Sequence, residues 1–223
     1  MIPFLQKTLY SLADLLLPAI CPLCGKNNIP HPESLCSTCE GEILLGRVPP
    51  LTRTDSVPEI LSCRFYEGAV RKYIKELKYS ERHTLINVFN KIIYYFIEKD
   101  EFFSHKIDLI IPVPLHRTKH KKRGFNQSEL IAAILSQALN APSLSYILLK
   151  TRRTHSQAGL SREKRIKNLA GSFAAGNIET IKNKSILLVD DVITTGATLD
   201  TCGSVLLRAG VRSVRGFTLA KVA

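Results

Sequence analysis

Residues 185–202 read SILLVDDVITTGATLDTC: an apolar run, two adjacent aspartates, and a threonine-rich turn around a glycine. A short β-branched run bounded by polar residues reads as a buried strand, here SILLV. The loop is expected to begin at Asp190 and a helix near Ala197. Gly196 permits a tight turn, the threonine hydroxyls donate hydrogen bonds, and the first N–H groups of a helix hold a phosphate without needing a lysine. The GxxxxGK[ST] pattern is missing, which argues against a nucleoside triphosphatase. Two carboxylates beside an anion cradle repel the ligand unless they address another part of it. A sugar phosphate resolves this: its hydroxyls donate to Asp190 and Asp191 while the turn holds the phosphate.

Working outward, apolar periodicity alternates between strand and helix. LSCRFYEG (61–68) reads as a strand, and AVRKYIKELKY (69–79) and TLINVFNKIIYYFIEK (84–99) as helices. IDLIIPVPL (107–115) is a strand stopped by prolines. NQSELIAAILSQALN (126–140) is a helix capped by Asn126, with Glu129 three residues on. SYILL, TLDTCGSVLLRAG and SVRGFTLA continue the alternation as strand, helix and strand. The pattern predicts an α/β fold with a doubly wound parallel sheet and its ligand at the carboxyl ends of the strands.

Ahead of this lies CPLCGKNNIPHPESLCSTCEGEIL (21–44), followed by the polar, proline-containing connector GRVPPLTRTDSVPE (46–59). The expected division is residues 1–50 as an N-terminal helix and metal module, and 51–223 as the α/β domain. Two CxxC pairs, Cys21/Cys24 and Cys36/Cys39, suit tetrahedral Zn²⁺ in a closed, structural site. His31 is an alternate ligand, and two disulfides are the competing reading. Cys63 and Cys202 fall outside the pattern and read as small apolar fillers. The first residues place Leu5, Leu9, Leu12 and Leu16 at helical spacing, interrupted by Lys7 and Asp14, which fits a short amphipathic helix packing on the protein itself, or on a partner or membrane surface, rather than a signal or anchor. No run reaches the roughly 18–20 apolar residues of a membrane span, so the cytoplasm is the expected compartment. Of a net charge of +12, residues 1–50 carry −1, 51–100 carry +2 and 101–223 carry +11. Such a balance favours polyanionic partners: a phosphorylated metabolite, nucleic acid, or an anionic surface.

The stretch 185–202 resembles the 5-phosphoribosyl-1-pyrophosphate (PRPP) motif of type I phosphoribosyltransferases. Together with FYEGAVRKYIKELKY (65–79), IPVPLHRTKHKKRGFNQSELIA (111–132) and RRTHSQAGLSREKRIKNLAGSF (152–173) behind a four-cysteine module, it is similar to the ComF family of competence-associated proteins, to which the GntX-type proteins belong. The likeness implies a type I phosphoribosyltransferase domain binding PRPP with Mg²⁺, and a link to DNA uptake. By position it implies that Asp190 and Asp191 hold the ribose. Thr194, Thr195, Gly196, Ala197 and Thr198 would hold the 5′-phosphate. Val113, Pro114 and Leu115 fall where the superfamily has its pyrophosphate loop, though a proline there removes one backbone donor. Residues 152–165 match the hood, from which Arg153, Gln157 or Arg162 would close over the pyrophosphate, and Lys78 is a further diphosphate candidate. The run around Lys119, Lys121, Lys122 and Arg123, with Phe125 and Asn126, is a candidate contact for phosphates of a metabolite or of single-stranded DNA. Nothing in the residues identifies an acceptor. A phosphoribosyltransferase releasing pyrophosphate and a non-catalytic, PRPP-responsive or DNA-associated component of DNA uptake both remain open.

Overall fold

A computed structural model describes residues 20–27, 29, 35–79, 86–152, 169 and 171–223. The predicted sheet is present: four strands, β1 (Ile60–Phe65), β2 (Leu109–Pro112), β5 (Ser185–Ile193) and β6 (Ser213–Lys221), in the order β1-β6-β5-β2 with every pairing parallel. A separate two-stranded antiparallel ribbon joins β3 (Leu148–Lys150) to β4 (Phe173–Ala175).

The described helices are α1 (Ser37–Leu44), α2 (Gly68–Tyr79), α3 (Ile86–Lys99), α4 (Arg117–Arg123), α5 (Gln127–Leu139), α6 (Ile178–Ile181) and α7 (Ala197–Arg208). They cover both faces, as apolar strands buried on two sides require. On one face Tyr73 of α2, Phe89 and Ile93 of α3, and Ile131 and Leu135 of α5 pack with Leu187 and Val189. On the other, Leu199, Cys202 and Leu206 of α7 pack with Ile186 and Leu188. Neighbouring residues of β5 thus feed opposite cores, the alternation a strand imposes.

The cysteine module does not stand apart from this core. Cys21, Leu23, Ile29, Leu35, Cys39 and Ile43 belong to the same buried cluster as Tyr73 and Phe89. Arg64 of β1 completes the joint. It is 2% exposed, its Nε donates to Ile43 O at 2.8 Å, and its Nη2 donates to Leu44 O, two carbonyls of the last turn of α1. Its guanidinium lies 5.0 Å from the Phe96 ring centre and 5.9 Å from that of Tyr95. A cation at a helix C-terminus satisfies carbonyls that have no partner within the helix. Burial lowers the Arg64 pKa, with the neighbouring Cys63 and Tyr95 opposing. Arg64→Ala strands the carbonyls and opens a cavity, so it should cost about 3 kcal/mol, read as a fall of roughly 6–12 °C in thermal midpoint.

The chain around the acids differs from expectation in one respect. β5 does not end at Val189 but runs through both aspartates to Ile193, because β6 continues to pair with it: Asp190 stands opposite Thr218 and Val192 opposite Ala220. Continued pairing with β6 overrides the local signal that the carboxylates begin a loop.

Candidate functional site

Because all four sheet strands run parallel, their carboxyl ends share one edge, where Asp190, Asp191 and the 194–196 turn meet the chain leaving β2. The acids are half-buried. Asp190 Oδ1 accepts from the Ser128 hydroxyl at 3.0 Å and from the Asp191 N–H at 2.9 Å, which fixes the plane of that carboxylate. Thr194–Thr195–Gly196 then turns into α7, with Gly196 in the left-handed region at φ 80°. The Thr195 Oγ1 accepts weakly from the Ala197 N–H at 3.5 Å. Thr198 lies in the first turn of α7, so all five residues of the predicted phosphate turn stand at the start of one helix.

Val113 and Pro114 sit at the same edge, but Val113 is occupied on both sides. Its N–H donates to Val189 O at 2.8 Å, and its carbonyl accepts from Asn126 Nδ2 at 3.0 Å. Pro114 has no N–H. The first backbone donor this loop can turn to a ligand is therefore at Leu115 or beyond.

Asn126 caps α5 as predicted, accepting from the Ser128 N–H at 3.1 Å, and its amide also donates to Glu129 Oε1 at 3.3 Å. Asn126, Gln127 and Ser128 are 2, 2 and 3% exposed. Gln127 Oε1 accepts from Arg123 Nη1 at 3.4 Å, while its Nε2 has no partner. A buried donor left unpaired costs about 1–3 kcal/mol. The basic run forms α4, which the proline-bounded, charge-dense sequence did not announce.

The segment read as a bare connector also reaches the site. The Ser56 N–H donates to Asp200 Oδ1 at 2.8 Å, and a Cβ on Gly196 would lie 2.7 Å from Cγ2 of Thr54. Gly196 is thus required twice over, by its φ and by the strap above it. Gly196→Ala should destabilise by roughly 2 kcal/mol, since the left-handed region alone costs an L-residue about 1–2. It should also weaken phosphate binding, both measurable by thermal melting and calorimetry. Thr54, Ser56 and Ser128 were missed by the sequence reading; their partners lie far away along the chain, and no local spacing signals them.

Cys202 lies under the acids on α7. Burial first, and Asp190 second, push its thiol well above the usual range, so it is inert filler rather than a nucleophile. Arg153, Gln157, Arg162 and His31 lie outside the described residues. Lys78 falls in the last turn of α2, and Lys119 and Lys122 in α4, with side chains also outside the description.

The second site is a candidate metal centre. The Sγ atoms of Cys21, Cys24, Cys36 and Cys39 all lie within 4.8 Å of one another, with Cys24 and Cys36 at 3.6 Å. All six cysteines are free thiols, so the disulfide reading does not hold. Four thiolates at about 2.3 Å from one tetrahedral ion stand about 3.8 Å apart, so the cluster has the right size and donor set. Burial opposes charge on Cys21, yet the N–H groups of Cys36, Leu23 and Cys24 outweigh it and bring the pKa to about 6. Cys39 moves the other way: burial and the three neighbouring sulfurs push it up.

Among known proteins, residues 126–223 match the family described as phosphoribosyl transferase domain. With the parallel sheet and the acid pair ahead of a threonine–glycine turn, this defines a protein of the type I phosphoribosyltransferase fold carrying an N-terminal four-cysteine module. Competence protein F of Haemophilus influenzae is 32% identical over 152 residues, 66% of each chain. DNA utilization protein YhgH of Shigella flexneri is 30% identical over 205 residues, 91% of this chain and 84% of that protein. The chain belongs to this ComF family. Adenine phosphoribosyltransferase from Saccharomyces cerevisiae, solved with an imino-altritol bisphosphate and adenine, aligns at a TM-score of 0.42 with 14% identity, over 83% of this chain and 89% of that one. No described helix is long and apolar enough to cross a membrane.

Proposed function

We propose that the chain binds PRPP and transfers its phosphoribosyl group to an acceptor with release of pyrophosphate, in the service of DNA uptake or use. The observation that carries this reading is the order of groups at one sheet edge: Asp190 and Asp191 in β5, then the Thr194–Gly196 turn opening α7. Asp190 and Asp191 accept the ribose hydroxyls. The turn and the first N–H groups of α7 take the 5′-phosphate. Loss of pyrophosphate from the anomeric carbon leaves positive charge on the ribose ring and negative charge on the departing group. Arg153 and Arg162 in the hood segment, with Lys78, are the cations assigned to the latter. Catalysis then rests on positioning and electrostatics, without a covalent nucleophile. Mg²⁺ accompanies PRPP and neutralises part of the diphosphate charge.

The four cysteines hold one Zn²⁺, which staples residues 1–50 as a structural module onto a phosphoribosyltransferase domain of residues 51–223. The protein works in the cytoplasm, where thiols stay reduced. The link to DNA comes from the competence and DNA-utilization names of its relatives, and the basic α4 is the surface assigned to phosphates of single-stranded DNA. Calorimetry with PRPP and Mg²⁺ tests the site, and pyrophosphate release with pooled metabolites tests turnover. Binding without release under any acceptor would replace transfer by a PRPP-responsive binding role.

A further inference from the structure

We propose that the first residues of α5 are a positioning device holding the two halves of the site at a fixed separation, with Ser128 orienting Asp190 and Asn126 fixing the backbone of the loop after β2. The proposal rests on the reading that Asp190 binds ribose and that the loop faces pyrophosphate.

Capping α5 requires only one group, the Asn126 Oδ1 that accepts from the Ser128 N–H. The Asn126 amide, which also donates to Glu129 Oε1 at 3.3 Å, and the Ser128 hydroxyl both reach beyond the helix. Asn126 Nδ2 reaches Val113 O at 3.0 Å, on the chain that leaves β2. The Ser128 hydroxyl reaches Asp190 Oδ1 at 3.0 Å, 62 residues away on β5. Both side chains are almost wholly buried, where a polar group is costly unless fully engaged and, once engaged, fixes geometry. Val113 is pinned from the opposite side by Val189 O, one residue before Asp190. A closed circuit results: Asp190, Ser128, the α5 backbone, Asn126, Val113, Val189 and back to Asp190. Its rigidity sets the distance between the carboxylate that would receive ribose hydroxyls and the loop that would face the leaving group. A displacement of about 1 Å in such a pair is enough to cost orders of magnitude in rate.

The two arms separate by substitution, with PRPP and ribose 5-phosphate, each with Mg²⁺, as the calorimetric probes. Ser128→Ala should raise Kd for both roughly tenfold, as loss of a hydrogen bond to a charged group implies, and Ser128→Thr, which keeps the hydroxyl, should restore wild-type binding within about twofold. Asn126→Ser retains a cap oxygen, but its hydroxyl is one bond too short to reach the Val113 carbonyl while capping; it should raise the PRPP Kd roughly fivefold or more and leave ribose 5-phosphate within about twofold. In an Asp190→Ala background, which leaves the Ser128 hydroxyl no carboxylate to orient, Ser128→Ala should add almost nothing. A full further loss in that background, or wild-type binding by Ser128→Ala, overturns the proposal. Failure of the wild-type protein to bind PRPP would instead sink the ligand reading. The circuit is then judged without ligand, by carboxyl ¹³C titration: Ser128→Ala must raise the Asp190 pKa by removing a donor to its charged form, and an unchanged titration overturns the proposal.

Discussion

Replacing Asp190 and Asp191 together by alanine is expected to weaken PRPP binding about a hundredfold. In the proposed function each carboxylate accepts charge-assisted hydrogen bonds from ribose, and one such bond is worth about 1.5–3 kcal/mol, or roughly tenfold and more in affinity. The sign of the effect is as informative as its size. If the acids were bystanders beside an anion site, removing two negative charges from a protein of net charge +12 would strengthen binding of a ligand bearing a phosphate and a diphosphate. Loss of affinity therefore identifies contact, and a gain or no change refutes it. Both residues are half-buried near the end of β5, so the fold should survive. Calorimetry of the double variant, with unchanged circular dichroism, is the measurement.

What could be read in the residues beforehand was what local periodicity encodes. The β-branched runs at 109–112 and 185–189 became neighbouring parallel strands, and Asn126 capped the helix whose first turn it preceded. The cysteine spacing placed four sulfurs around one point because a two-residue gap brings both members of a pair to the same side. What stayed hidden depends on partners far away in sequence. Asp190 and Asp191 look like the start of a loop until β6 is seen pairing with them. Ser56 looks like linker until Asp200, 144 residues on, accepts its N–H. Ser128 reads as an ordinary second helical residue, yet its hydroxyl aims the carboxylate on which the ligand assignment depends. Arg64 carried no signal either: one arginine in an apolar strand gives no hint that it closes a helix 20 residues upstream.

That arginine also governs what metal removal should do, the second large effect expected. Were the cysteine module an appendage, chelation would unfold it alone and leave the α/β domain melting as before. The packing argues otherwise. Leu35, Cys39 and Ile43 are buried in the same cluster as Tyr73, Phe89 and Phe96, so loss of α1 uncovers the face that α2 and α3 present to it. Arg64 would then lose the Ile43 and Leu44 carbonyls, and hydrogen bonds made by a charged group are worth about 1.5–3 kcal/mol each. Structural zinc sites bind with apparent free energies of about 10–16 kcal/mol, far more than the joint needs to stay closed. Stripping the metal, or Cys36→Ser, should therefore lower the thermal midpoint of the whole chain by about 10 °C or more, at roughly 2–4 °C per kcal/mol for a chain of this size. Calorimetry should show one shifted transition, and metal analysis one zinc per untreated chain. Two transitions, the upper at the original temperature, would show an independent module and would remove Arg64 from its role as the joint between the metal centre and β1.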